Sequence, residues 1–115
     1  MQITTNIKND LIISHIEGRF DAHSVATYLT DVADAVTTST PNVIVDLSGV
    51  EFMDSSALAA LVTTLKRTMA VGGDLVLAGA GDAARIILEL TRLDQVFSQA
   101  DSLLSARVLL ADSST

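Results

Sequence analysis

The segment that most constrains the fold lies near the middle of the chain and reads VIVDLSGVEFMDSSALAALVTTL over residues 43–65. It begins with an apolar run, and Ser48-Gly49 then predicts a turn. A second apolar pair, Phe52-Met53, precedes three polar residues and a set of apolar residues at helical spacing. The segment therefore predicts a buried strand over 43–47, a turn, and a helix with a polar start. Such a start carries unpaired N–H groups and the positive end of the helix dipole.

The chain before this segment predicts two strands and a helix. Residues 2–8 and 11–17 have strand patterns joined by a turn at Asn9-Asp10. The run Gly18-Arg19-Phe20-Asp21 is expected to end the second strand. A helix capped by Asp21 or Ser24 is then expected to run to about residue 38.

The helix after Ser55 is expected to be amphipathic and to end at Gly72-Gly73, because glycine readily adopts the left-handed conformation of a helix end. Its predicted inward stripe consists of Leu58, Leu61, Val62, Leu65 and Met69. Its sides and outer face are predicted to carry Ala57, Ala60, Thr64, Lys66 and Arg67.

The last third of the chain predicts a strand over 74–79, a short helix, a short edge strand and a final helix. Asp82 is expected to cap the short helix, with Ile86, Ile87 and Leu90 inward. Val96-Phe97 is the predicted edge strand. The final helix is expected from Asp101 to about residue 110, with Leu104 and Val108 inward.

The element order β-β-α-β-α-β-α-(β)-α predicts an α/β fold. We expect one domain over residues 1–110, with a mixed, mostly parallel sheet of four to five strands and about four helices packed against it. Residues 111–115 are expected to form a flexible C-terminal tail.

Composition excludes several classes of function. The net charge of -7 argues against nucleic acid and against electrostatic docking on anionic lipid, and it favours basic partners. The chain has no cysteine and only two histidines, His15 and His23, so neither a thiolate zinc site nor a histidine-rich metal site is expected. No apolar run is long enough to span a membrane, and no secretory signal is visible, so a cytoplasmic location is expected.

The polar triplet Asp54-Ser55-Ser56 has an ordinary structural explanation, since Asp and Ser commonly cap helices and contribute about 1 kcal/mol. One cap residue is enough, however, and three polar residues stand here. At least one hydroxyl is therefore expected to be free at the surface. On local pattern alone, capping remains the better explanation.

Two enzymatic alternatives are weaker. Gly79-Ala80-Gly81 begins a G-x-G-x-x-A pattern between a strand and a helix, but Asp82 would place a carboxylate where a pyrophosphate belongs. A nucleophilic Ser55 with His23 and Asp21 has the right residue types, but the G-x-S-x-G motif is absent. No catalytic residue, cofactor or metal is predicted, and the chain is expected not to be an enzyme.

Taken together, these motifs resemble the STAS domain family, and within it the anti-sigma-factor antagonists. The resemblance covers essentially the whole chain. Its most specific part is DLSGV followed by FMDSS in the centre, and EGRFD after the second strand and LDQVF near the end support it. The chain departs from the usual glycines of the family at Ala57, Ala59 and Arg92.

The resemblance implies a phosphorylation switch at Ser55. In such antagonists the partner anti-sigma factor, a serine/threonine kinase, phosphorylates the serine after the Asp of the D-S-S motif. The unphosphorylated form binds the anti-sigma factor, and a PP2C-type phosphatase restores it. Residues expected to bind the partner are Asp21, His23, Asp54, Ser56, Ala57 and Ala60.

Two other functions stay open. The chain is alternatively a STAS accessory subunit of a transporter or of a stressosome-like assembly. Relatives of that kind often carry threonine at the switch position, so Ser55 favours the antagonist. A small nucleotide-binding protein is the weakest alternative. Direct nucleic-acid binding and membrane insertion are not expected.

Overall fold

The computed structural model describes residues 1–113, without the side chains of residues 112 and 113. The strands are β1 Gln2–Lys8, β2 Leu11–Phe20, β3 Asn42–Met53, β4 Leu75–Ala78 and β5 Ser98–Ala100. The helices are α1 Val25–Asp31, α2 Ser55–Ala70, α3 Asp82–Leu90 and α4 Leu103–Ser113. Short 3-10 turns occupy Ala33–Ala35 and Leu93–Gln95.

The five strands form one sheet in the order β1-β2-β3-β4-β5. β1 pairs with β2 in antiparallel fashion, and the other three pairings are parallel. The α/β class and the mixed, mostly parallel sheet with four helices are confirmed. Within residues 1–113, no helix is both long and apolar enough to cross a membrane.

The sheet separates two hydrophobic clusters, because successive side chains along a strand point to opposite faces. Val43, Val45 and Leu77 lie on the face that is covered by α1, α2 and α3. On the other face, Ile44 and Val76 pack against α4. Each of the four helices follows one of the parallel strands β2 to β5. The helix starts therefore lie together at the edge where the carboxyl ends of these strands meet.

β2 and β3 are longer than the sequence predicts, and the expected turn at Ser48-Gly49 is wrong. β3 continues through these residues to Met53, and β2 continues to Phe20. Irregular register on either side of Gly18 disturbs the alternation of polar and apolar residues, which explains the misleading pattern. Gly49 serves close strand packing, since a Cβ there would lie 3.2 Å from the carbonyl oxygen of Ile16.

The buried face of α2 is rotated from the predicted one. Ala57, Ala60 and Thr64 were expected on the sides or outside and are buried, whereas Met69 is 65% exposed. The reason is that α2 packs against both the sheet and α1. The hydroxyl of Tyr28 in α1 donates to Thr64 Oγ1 at 2.8 Å, because Thr64 gives its own proton to a carbonyl of α2.

The remaining helices also differ in extent or orientation. α1 ends at Asp31 and passes into a 3-10 turn instead of reaching residue 38, and Ser24 at its start makes no capping bond. In α3 and α4, four of the five residues expected inward are exposed, namely Ile86, Leu90, Leu104 and Val108, whereas Ile87 is half-buried against the core as predicted. The buried residues are instead Ala84 and Leu88 in α3 and Ala106 and Leu110 in α4, and the two alanines let the helices approach the sheet closely.

The predicted boundaries of the elements in the second half of the chain are confirmed in some cases and wrong in others. β4 and the end of α2 at Gly72 are confirmed, and Gly72 has φ 81°. The edge strand is β5, just after the predicted Val96-Phe97. α3 is capped by Gly81 rather than by Asp82. Of the predicted tail, residues 111–113 belong to α4, and residues 114–115 lie outside the described part.

Candidate functional site

The candidate site lies where β3 passes into α2, at the carboxyl edge of the sheet. Only the first half of β3 pairs with β4, from Val43 to Asp46. Within residues 1–113, the second half pairs only with β2 and extends beyond the end of β4. This overhang carries Ser55, the first residue of α2, to an exposed position.

Asp54 is the cap of α2 and also holds a neighbouring loop. Its Oδ1 accepts the N–H of Ala57 at 3.0 Å, and its Oδ2 accepts the N–H of Ala22 at 3.2 Å. One carboxylate thus joins the helix start to the loop of residues 21–24. The capping explanation for the polar triplet applies to Asp54 and not to Ser55.

Ser55 is left with a free hydroxyl. Across the described residues 1–113, its Oγ makes no hydrogen bond, and the Ser56 hydroxyl, half-buried, makes none either. The N–H groups of both serines belong to the first turn, where no helix carbonyl is available to accept them. This arrangement can accept a phosphoryl group on Oγ and place its negative charge at the positive end of the helix dipole.

Asp21 organises the loop beside this serine. Its carboxylate accepts the N–H of His23 at 3.0 Å and Nε of Arg19 at 3.3 Å, and the residue is 9% exposed. Burial alone would raise the pKa of Asp21, but the N–H of His23 and the guanidinium of Arg19 hold it below its usual value. Asp21 is therefore a charged residue that faces its own loop.

His23 does not assemble a catalytic triad with Ser55. His23 is exposed, and within residues 1–113 its ring makes no hydrogen bond to the serine or to Asp21. Its backbone N–H is the group that Asp21 accepts. His23 is therefore not hydrogen-bonded as the base that would activate Ser55.

Two of the expected partner-binding residues are buried. Ala57 and Ala60 are 0% and 3% exposed, because α2 turns this face toward the core. Their side chains are not available at the surface. Asp21, His23, Asp54 and Ser56 do lie near Ser55, linked through the Asp54 bridge.

A pair missed by the sequence reasoning is Arg19 and Phe52. The Arg19 guanidinium carbon lies 4.0 Å from the centre of the Phe52 ring, a cation–π contact. Phe52, a member of the apolar pair before the polar triplet, is 38% exposed, whereas its neighbour Met53 is buried. The residues are 33 positions apart, so only the register of β2 and β3, which pairs them directly, reveals the contact.

A second polar cluster lies on the α4 face of the sheet. His15 Nδ1 is 2.8 Å from Asp46 Oδ2, and the N–H of Ser48 donates to Asp46 Oδ1 at 2.9 Å. Burial would raise the pKa of Asp46, but the bonds from Ser48 and His15 hold it below its usual value. Gly79 packs against this cluster, where a Cβ would lie 3.1 Å from Ser48 Cβ.

Neither cluster has the donors of a metal centre. Among residues 1–113, no group of three or more His, Cys, Asp or Glu side chains could hold a metal ion. Just after the Gly79–Gly81 turn, Arg85 donates to the Asp82 carboxylate at 2.8 Å.

Comparison with known proteins agrees with this architecture. The Thermotoga maritima protein TM1081, described as a candidate anti-sigma factor antagonist, superposes with a TM-score of 0.86 at 23% identity, covering 95% of this chain and 94% of that one. The Bacillus cell fate determinant SpoIIAA, in its phosphorylated form, gives 0.75 at 16% identity, with coverage of 94% and 99%. A sulfate transporter family protein from Wolinella succinogenes gives 0.73 at 21% identity, with coverage of 95% and 88%.

At these identities the superpositions establish a common fold. The sequence profile of the STAS domain matches residues 2–106, which is nearly the whole chain. The chain belongs to the STAS domain family.

Proposed function

We propose that the protein is an anti-sigma-factor antagonist controlled by phosphorylation of Ser55. The unphosphorylated form binds an anti-sigma factor that is a serine/threonine kinase, and this binding releases the sigma factor. Transfer of the γ-phosphoryl group of ATP forms the Oγ–P bond, breaks the bond to ADP, and gives the hydroxyl proton to a base of the kinase. A PP2C-type phosphatase hydrolyses the ester and resets the protein.

The observation that carries this proposal is the exposed Ser55 hydroxyl, unbonded within residues 1–113, at the first position of a helix whose cap is another residue. A hydroxyl without a structural bond can be modified while the fold is retained. A relative with the same fold, SpoIIAA, is an anti-sigma factor antagonist with a phosphorylated form.

Electrostatics supports release through the interface. A phosphoryl group adds roughly −1.5 to −2 charge at neutral pH. The helix start tolerates this charge, so the domain stays folded. The surrounding surface is already acidic, with Asp54 beside Ser55 and the exposed Glu51 in the overhang. Added charge and bulk therefore weaken the contact with the partner without unfolding the antagonist.

The second candidate is a STAS accessory subunit of a transporter or of a stressosome-like assembly. The Wolinella sulfate transporter family protein with this fold favours it. Under this alternative, the same surface binds a transporter or scaffold, and Ser55 is not the substrate of an anti-sigma-factor kinase.

The test is to incubate the chain with Mg-ATP and each purified anti-sigma-factor kinase of the source organism. Mass spectrometry should show one added phosphoryl group on Ser55. Ser55→Ala should abolish it, and Ser56→Ala, the matched neighbour, should retain it. Ser55→Asp should fold normally and bind the kinase more weakly than wild type. Phosphorylation only at Ser56, or a folded Ser55→Asp protein that binds as tightly as wild type, would contradict the proposal.

A further inference from the structure

The surface next to Ser55 contains an exposed aromatic ring held by an arginine. Three of the four aromatic residues, Phe20, Tyr28 and Phe97, are buried, and Phe52 alone is exposed. The exposed Phe52 ring leaves apolar surface in contact with water, and this surface is available for binding. Phe52 precedes Ser55 by three residues, which places the two within roughly 10 Å of each other.

Arg19 is fixed in position but keeps most of its donors free. Its Nε donates to Asp21 at 3.3 Å and its guanidinium carbon lies over the Phe52 ring, while the side chain is 63% exposed. An arginine has five N–H donors in a planar fork. Among the described residues, the two terminal nitrogens of Arg19 make no hydrogen bond, so their four N–H groups are not used within the domain.

We propose that Arg19 and Phe52 form a second contact with the kinase, one that helps to select the partner. This inference rests on the proposed function. The partner surface that fits this pair carries a carboxylate that forms two hydrogen bonds with the Arg19 guanidinium. Beside that carboxylate it has an apolar pocket for the Phe52 ring. Arginine and aromatic residues are enriched where interfaces concentrate their binding energy.

The charge pattern makes this contact specific. The protein has a net charge of -7, and Glu51 and Asp54 lie along the same segment as Phe52. A partner surface complementary to them is basic. A carboxylate set within that basic surface, opposite Arg19, distinguishes a matched kinase from one that is basic throughout, because like charges across an interface are unfavourable.

The experiment uses the full chain and the kinase that phosphorylates Ser55, with binding measured by calorimetry. Arg19→Lys keeps the charge but loses the planar fork and the stacking. Phe52→Leu keeps apolar character but loses the ring. Each variant should weaken binding about tenfold. The double variant should lose much less than the product of the two effects, because the residues act as one unit.

The control is Arg67→Lys, which changes another ion-paired surface arginine, 12 positions further along α2 and roughly 18 Å from Ser55. It should bind as wild type does. Thermal melting without kinase separates recognition from a structural role, because the Arg19 and Phe52 variants should melt as wild type does.

The two proposals can fail separately. Wild-type affinity in both the Arg19→Lys and Phe52→Leu variants would overturn the second contact while Ser55 remains the switch. Weaker binding that is matched by a lower melting temperature would also overturn it, because the pair would then be structural. A Ser55→Asp protein that is folded and binds normally would overturn the proposed function, whatever the Arg19 and Phe52 variants do.

Discussion

At the scale of single residues, Asp54 links two elements of the candidate site, because each of its two carboxylate oxygens accepts a hydrogen bond from a different element. It caps α2 through Ala57 and holds the loop through Ala22. Asp54→Ala removes both bonds, and we expect it to destabilise the fold by about 1–3 kcal/mol. Urea unfolding followed by circular dichroism measures the loss.

Two matched variants serve as comparisons for the stability lost in Asp54→Ala. Asp54→Asn retains an oxygen for one of the two N–H groups and should lose less. Ser55→Ala, at the adjacent exposed position, should stay within about 0.5 kcal/mol of wild type. If Asp54→Ala were as stable as wild type, the double role of its carboxylate would be wrong.

Arg92 stands in a backbone conformation that suits glycine. It follows the end of α3 with φ 61°, in the left-handed region, where a Cβ costs about 1–2 kcal/mol. Arg92→Gly removes that cost but adds flexibility to the unfolded chain, so we expect a net gain of about 0.5–1 kcal/mol. A higher urea midpoint checks it, and Arg92→Asn should give a smaller gain. Lower stability in the glycine variant would contradict this account.

Asp46 links stability to pH. Its pKa in the folded protein is below the value of about 3.9 expected for the unfolded chain. The folded state therefore binds fewer protons, and the stabilisation is complete above that value and disappears as the pH falls through the folded pKa. Asp46→Asn should lose about 1–2 kcal/mol at neutral pH.

Unfolding titrations of wild type and Asp46→Asn between pH 7 and pH 2 test this. The difference in unfolding free energy should shrink at the acid end of the series. Asp31→Asn, at an exposed site, serves as the control and should show a small difference throughout. A difference that grows on acidification would have the wrong sign.

The sequence predicts those parts of the site whose residues are neighbours in the chain, but not the contacts between residues that are far apart in the chain. The polar triplet, read together with the family resemblance, leads to Ser55, but the choice of Asp54 as the cap requires the actual hydrogen bonds. The contact of Arg19 with Phe52 depends on strand register across 33 positions. Register is set by the pairing of β2 with β3 around irregularities that no local pattern shows.

At the scale of elements, the turn between α2 and β4 has two glycines with different roles. Gly72 has φ 81° with open space around it, whereas a Cβ on Gly73 would lie 1.9 Å from the carbonyl oxygen of Pro41. Gly72→Ala should cost about 1 kcal/mol through backbone strain. Gly73→Ala should cost more, about 2–3 kcal/mol, because the backbone at Pro41 must move.

Urea unfolding of the two alanine variants, each compared with wild type, tests this difference. Equal losses, or a larger loss for Gly72→Ala, would show that the contact at Pro41 relaxes easily.

Element types are predicted well from the sequence, and helix faces are not. Apolar periodicity finds the strands and helices, but it favours large side chains as the inward ones. In α2, α3 and α4 the buried stripe includes small residues, such as Ala57, Ala84 and Ala106, because these helices approach their neighbours closely. The chain has few aromatic residues to fill space, so the helices pack closely against their neighbours through small side chains. Large residues such as Leu90 can then lie on the outer face, where Leu90 is 80% exposed.

For the whole molecule, the excess of acidic residues predicts how binding depends on salt. With a net charge of -7, attraction to the proposed partner, if its surface is basic, should accelerate association at low ionic strength. Raising NaCl from about 0.05 M to 0.5 M shortens the screening length several-fold, so the association rate constant should fall markedly, with a smaller change in dissociation. Stopped-flow binding to the kinase measures both, and an association rate independent of salt would contradict this expectation.

The overhang of β3 also has a consequence in time. Its first half lies between two strands, while the half that leads to Ser55 has a strand on one side only. Backbone amides that are paired on both sides open only with the whole sheet, whereas a half-paired segment can open by itself. Hydrogen exchange should therefore be slow over residues 43–46 and faster over 48–53. The segment that leads to Ser55 should therefore open locally more often than the core strands that anchor it.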